Sequence, residues 1–121
     1  MEYFFDNERP IYIQMVEQLK IFIISGVLKK GDKIPSVREL AAIAKVNPNT
    51  VQKALAELER DGLIYTERTN GKYVIDNDKT IKKIKKTIID EKLANFMHDM
   101  KKIGITSQEI IEYLQGLKGA K

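Results

Sequence analysis

The stretch KVNPNTVQKA, residues 45–54, sets a proline between two asparagines directly ahead of an apolar helical stripe. Inside a helix, asparagine competes for backbone groups and proline lacks an amide hydrogen, so neither belongs there. Both suit a helix mouth. Asn47 is placed to cap the helix, and Pro48 falls at its first position, where no donor is needed. Val51, Ala54, Leu55 and Leu58 follow at i, i+3, i+4 and i+7, one core-facing stripe, and Gly62 ends the run. Asn49, Thr50, Gln52 and Lys53 lie off that stripe on the first turns.

Upstream, a helix opens near Pro10, carries Ile11, Met15, Leu19, Phe22 and Ile23 at helical spacing, and ends at Gly26. A turn around Lys30, Gly31 and Asp32 leads to a second, short helix ending near Lys45. Ser36 and Glu39 form its capping box, and Leu40, Ala41, Ile43 and Ala44 its apolar face. Two helices joined by a tight turn, the second polar at its N-terminal end, make a helix-turn-helix, a motif whose second helix enters the major groove of DNA. Downstream, LIYTERT and KYVI read as two strands around Asn70-Gly71, a two-residue hairpin signal. A hairpin straight after that helix makes a winged helix. Its tip can reach the minor groove or the phosphate backbone, and Gly71 permits close approach.

From Asp78 the pattern is helical again. Ile81, Ile84 and Ile88 form one stripe. Ile89, Leu93, Phe96, Met100 and Ile103 form another, displaced by one residue, so the long helix is expected to bend or change packing partner near Ile88–Asp90. Thr106 and Glu109 make a second capping box. It opens a last helix with Ile110, Leu114 and Leu117 expected inward.

The composition excludes several classes. With 121 residues the chain is one domain, or a small domain with an appendage. It has no cysteine, so a disulfide framework and a cysteine-rich zinc site are both ruled out. His98 is the single histidine, and no H-E-x-x-H, phosphate loop or nucleophile elbow occurs. No catalytic or metal-ligating residue and no cofactor is expected, and an enzyme is not supported. The N-terminus MEYFFDNERP lacks a secretory pattern and no apolar run has membrane-spanning length, which points to the cytoplasm and away from a membrane. The net charge of +4 is unevenly spread. Residues 1–76 balance 11 Lys/Arg against 11 Asp/Glu, and the excess lies beyond, much of it in KTIKKIKK, residues 79–86. Bulk charge therefore does not argue for nucleic acid; motif geometry must.

Four pieces, PIYIQ, SGVLKKGDKIPSVREL, VNPNTVQKAL and LERDGLI, together resemble the N-terminal domain of GntR-family bacterial transcription regulators. The resemblance runs from about Pro10 to Ile75. The short tail is similar to the YtrA subfamily, whose members lack large effector domains and dimerise through C-terminal helices. The resemblance implies a winged helix-turn-helix DNA-binding domain over residues 9–77 and a helical dimerisation tail over residues 78–121. It implies a homodimer on operator DNA as well. By position, Arg38 matches an arginine that grips DNA in the family. Asn47, Asn49, Thr50 and Gln52 match recognition-helix contacts, and Asn70 and Gly71 match the wing tip. Some relatives carry arginine at the positions of Pro48 and Gln52, and many have a glycine-arginine-glycine wing tip where this chain has TNGK, ending at Lys72.

The candidate DNA-contacting set is therefore Ser36, Arg38, Asn47, Asn49, Thr50, Gln52, Lys53, Asn70, Gly71 and Lys72. Simpler roles compete at several of these positions. Ser36, Asn47 and Pro48 are explained by capping, Arg38 by pairing with Glu39 or Glu57, and Asn70-Gly71 by the turn itself. The expected function is a dimeric, sequence-specific repressor that occupies a promoter. The alternative is a winged helix used as a protein-interaction module without DNA affinity, which the neutral charge of residues 1–76 favours. A small-molecule effector would have room only at the dimer interface or between the two parts.

Overall fold

A computed structural model describes residues 1–120, apart from the side chains of residues 118–120; Lys121, the end of the expected tail, lies outside them. Two compact units divide the chain, Met1–Ile84 and Lys85–Lys121. The fold is mostly helical with one antiparallel hairpin, the winged helix expected.

In the first unit, α1 spans Ile11–Ile24, with Pro10 just outside it. Met15, Leu19 and Ile23, one face at i, i+4 and i+8, are buried. α2 spans Val37–Ala44 and starts at the expected capping box, in which Glu39 N–H donates to Ser36 Oγ at 3.1 Å and Ser36 N–H to Glu39 Oε1 at 3.2 Å. Leu40, Ala41 and Ala44 are buried, but Ile43, expected on the same face, is 54% exposed. At about 100° per residue, Ile43 lies about 105° from the centre of the other three, too far round so short a helix to reach the core.

α2 ends on Lys45, which at φ 58° and ψ 47° is in the left-handed conformation usually taken by glycine. α3 spans Pro48–Arg60, and Val51, Ala54, Leu55 and Leu58 are all at most 2% exposed. Asn47 caps it, its Oδ1 accepting from Asn49 N–H at 2.8 Å. Gly62, at φ +81°, turns the chain out of α3, and Leu63 N–H closes the end on Leu58 C=O.

The hairpin departs from the expected geometry. β1 spans Ile64–Glu67 and β2 spans Gly71–Val74, with Glu67 opposite Gly71. The connection is thus the three residues Arg68, Thr69 and Asn70, not a two-residue Asn-Gly turn. Gly71 opens β2 at φ +99°, the left-handed position that completes a three-residue loop. Burial of Ile64 and Val74, directly paired, fixes this register. On its other side β2 meets the segment before α2, through Ile34 N–H to Lys72 C=O and Val74 N–H to Asp32 C=O, both 2.8 Å.

An N-terminal arm without hydrophobic periodicity also joins this unit. The buried Gln14 amide accepts from Asp6 N–H and donates to the carbonyls of Asp6 and Arg9, while Tyr3 and Phe5 pack on the core.

α4 runs unbroken over Asp78–Lys102, and α5 spans Ser107–Ala120. Ile84 packs on the core of the first unit, and the division falls directly after it, one turn earlier than the expected change near Ile88–Asp90. In the second unit, Thr106 and Glu109 form the expected capping box. Ile110 is buried, but Leu114 and Leu117, also expected inward, are 55% and 64% exposed. No helix of the described residues is long and apolar enough to cross a membrane.

Candidate nucleic-acid interface

The α3 stripe buried in the core leaves a second stripe on the opposite side. Asn49, Gln52, Lys53 and Ala56 repeat at i, i+3, i+4 and i+7, centred about 160° from the buried one, and all four are exposed. Thr50 sits at the border, half-buried. Because the four buried apolar residues hold α3 against the core, the amides of Asn49 and Gln52 have a rigid base. Each amide offers a donor beside an acceptor, the pattern that pairs with the edge of adenine. The ammonium of Lys53 lies 4.7 Å from the centre of the Tyr12 ring, a cation–π contact that links α3 to α1.

The helix starts carry their own chemistry. Ser36 and Asn47 both spend their oxygens on backbone amides, so capping is a role each demonstrably fills. The Glu39 carboxyl is held below the usual carboxylate range by hydrogen bonds from the Ser36 backbone and then its hydroxyl. Asn47→Ala should lower stability by about 0.5–2 kcal/mol, and Asn47→Asp, which keeps the cap, should not. Thermal melts of the two variants check this; equal melting of Asn47→Ala and the parent would remove the capping role.

Arg38 lies on the first turn of α2, exposed, and among the described residues it makes no hydrogen bond or ion pair. The anticipated pairing with Glu39 or Glu57 is absent; Glu57 holds Arg60 instead. Its guanidinium is thus available for a phosphate.

On the wing, Asn70 is in the loop and Gly71 in the strand. Lys72 is engaged, donating to Glu59 Oε1 and to Thr66 Oγ1, both at 2.7 Å. Lys72 and Gln52 line one open cleft of about 520 Å³ between α3 and the wing. Sequence reasoning missed Arg68. Once the loop is three residues long, Arg68 is its first residue, exposed and without an ion pair among the described residues. The signal was there in the spacing: pairing Ile64 with Val74 as the core-facing positions starts the loop two residues earlier, at Arg68.

Ion pairing shows what the neutral total hides. Arg9, Lys20, Lys30, Arg60 and Lys72 are each paired with a carboxylate. Arg38, Lys45, Lys53 and Arg68, around the helix-turn-helix and wing tip, are not, among the described residues, and neither are Lys29 and Lys33 in the loop before α2. Among the same residues no cluster of His, Cys, Asp and Glu suited to a metal occurs.

Comparison with known proteins agrees with this geometry. Residues 11–74 match the family model of bacterial regulatory proteins, gntR family. The chain is 43% identical over 120 residues to the HTH-type transcriptional repressor YtrA of Bacillus subtilis, covering 95% of this chain and 92% of that one. Its structure is similar to a GntR family transcriptional regulator from Listeria monocytogenes, with a TM-score of 0.87, 40% identity, and coverage of 93% of this chain and 98% of the other. It is also similar to AraR(DBD) in complex with operator ORX1, with a TM-score of 0.56 and 29% identity over 61% of this chain and 95% of that one.

Proposed function

The chain belongs to the GntR family of bacterial regulatory proteins, and from that premise we propose that it is a homodimeric repressor whose α3 reads an operator. It is a DNA-binding transcription regulator. The observation that carries the finer reading is the exposed stripe of Asn49, Gln52 and Lys53, held rigidly opposite the core and flanked by unpaired arginines. In this reading the stripe meets base edges in the major groove. Arg38, and Ser36 beside it at the start of α2, meet phosphate, while Arg68, Asn70, Gly71 and Lys72 approach the neighbouring backbone. Lys72 has a third N–H to offer beyond its bonds to Glu59 and Thr66. Asn47 and Thr50 support the reading turn from its edge. This work is done on a bacterial promoter, hence in the cytoplasm.

Residues 78–121 supply the dimer. α4 has no fully buried side chain, and Leu93, Phe96, Met97, Leu114 and Leu117 are exposed. That much apolar surface on two adjacent helices fits a matching surface on a second copy, as in helical bundles. Two copies place two recognition helices on a two-fold operator.

The rival reading, a winged helix that binds only protein, leans on the neutral charge of residues 1–76. It loses much of that support once paired and unpaired cations are separated, since Arg38, Lys53 and Arg68, beside the exposed stripe and at the wing tip, carry no ion pair among the described residues although Arg60 and Lys72 do.

Electrophoretic shift with DNA from upstream of the protein's own gene tests the proposal. Log affinity should fall linearly with log salt, at about 0.9 per phosphate contact, because each contact releases condensed counterion. A flat salt response, or tight binding of a monomer to one half-site, would sink it.

A further inference from the structure

The base of the wing is fixed by apolar packing, since Leu63, Ile64 and Val74 are buried in the core. Its outer half is exposed and held by polar bonds instead, one of them from Ile34 N–H to Lys72 C=O at 2.8 Å. There an open cleft of about 520 Å³ separates α3 from the hairpin, lined by Gln52, Ala56, Glu59 and Lys72 among others. One polar triangle spans it. Glu59, on the last turn of α3, accepts from Lys72 Nζ at 2.7 Å and from Thr66 Oγ1 at 2.9 Å. Lys72 Nζ also donates to Thr66 Oγ1 at 2.7 Å. Thr66 and Lys72 face each other across the hairpin, so a single carboxylate on α3 grips both strands of the wing at once.

We infer that Glu59 is a positioning residue for DNA binding, setting the angle of the wing over α3 and so the spacing between the base-reading turn and the wing tip. The inference rests on the DNA reading above and deepens it. The pair is partly exposed, 40% at Glu59 and 31% at Lys72, and such pairs add little to folding stability. Its effect is geometric. A wing whose outer half swings must be ordered when DNA binds, and that ordering is subtracted from affinity. A wing already held at the right angle avoids the loss.

The groups around Glu59 give the pH sense. Lys72 faces it from β2, Thr66 from β1 and Val37 from α2, and Arg60 beside it on α3 is paired with Glu57. Hydrogen bonding from Lys72, then from Thr66, holds the Glu59 carboxyl below the usual carboxylate range. A depressed carboxylate keeps its partner above the ordinary titration range and loses it as pH falls through the lowered value. The clamp is therefore closed at neutral pH and opens only in acid.

The absence of cysteine makes the test direct. Spin labels on Ile21→Cys in α1 and Thr69→Cys at the wing tip report the wing angle without DNA. The parent should give a narrow distance distribution at neutral pH that broadens in acid. Glu59→Ala should be broad at both pH values, and Glu59→Gln intermediate. A duplex selected by the parent from a randomised pool then reports binding. Glu59→Ala should lower affinity roughly fivefold to tenfold, the scale of one misplaced contact, and Lys72→Ala, which also forfeits its own phosphate contact, by more. The double variant should bind no worse than Lys72→Ala alone, because Glu59 acts only through the network that Lys72 shares. Melting temperature should barely move. A narrow distribution in Glu59→Ala, or affinity equal to or tighter than the parent's, overturns the inference; tighter binding would mean that Glu59 masks Lys72. If the parent selects no duplex, the DNA reading fails, while the label distances still decide whether Glu59 holds the wing.

Discussion

A chain ended after Lys85 is expected to sediment as a folded monomer and to bind operator DNA about 10²–10⁴ times more weakly than the whole protein. The magnitude follows from linkage. Once one winged helix of a dimer is seated, the second meets its half-site at the effective concentration set by the tether, and a monomer gains nothing of the kind. The cut is chosen from the structure. Ile84 packs on the core of the first unit and Asp78 pairs with Lys30, so both are retained. That core draws its buried side chains from α1, α2, α3, the hairpin and the loop between α1 and α2, and it needs nothing beyond Ile84. Removed are the residues of α4 and α5 whose apolar side chains are exposed, Leu93, Phe96 and Leu117 among them. Phe96→Asp in the intact chain is the milder form of the same experiment, since a charge there cannot be covered by a second copy without cost. If the shortened chain still sediments as a dimer, the interface lies in the winged unit and the division of labour proposed here is wrong.

How far these features were legible in the sequence depended on the range of the forces involved. Capping is decided within three residues, and Ser36–Glu39, Asn47 and Thr106–Glu109 form the bonds that their spacing implied. The α3 stripe was equally legible, because four apolar residues on one face have no other way to leave water. Hairpin register was not. Asn70-Gly71 is a strong local signal for a two-residue turn, but burying Ile64 opposite Val74 overrides it and lengthens the loop to Arg68–Asn70. Long-range packing thus moved an arginine to the wing tip. The N-terminal arm escaped for a similar reason: its tethers are the side chains of Gln14 and Gln18, and a glutamine beside an apolar stripe carries no sign of what it will bind. Leu114 and Leu117 have the periodicity of core residues yet are exposed in the single chain. Periodicity reports that a face seeks cover without naming the cover.

The remaining prediction separates positioning from reading. Arg38→Ala should weaken binding to operator and to scrambled DNA alike, because a guanidinium on phosphate orients the protein without sensing sequence. It should also reduce the salt slope by about one per half-site. Gln52→Ala should instead cost about 1–3 kcal/mol of discrimination at one base pair per half-site and leave scrambled DNA nearly unaffected. Asn49→Ala should behave the same way at a neighbouring base pair, since the two amides lie one turn apart on the exposed stripe. Folding is an internal control. Neither amide side chain has a hydrogen-bond partner within the described residues, and Arg38 has none either, so melting temperatures should match the parent's. Asn49 contributes its backbone N–H to the Asn47 cap, and alanine preserves that bond. Affinities for operator and scrambled duplexes at two salt concentrations distinguish the two classes. Equal losses on both duplexes for Gln52→Ala and Asn49→Ala would show that the first turns of α3 bind DNA without reading it, and specificity would then have to come from the wing or from the deformability of the DNA itself.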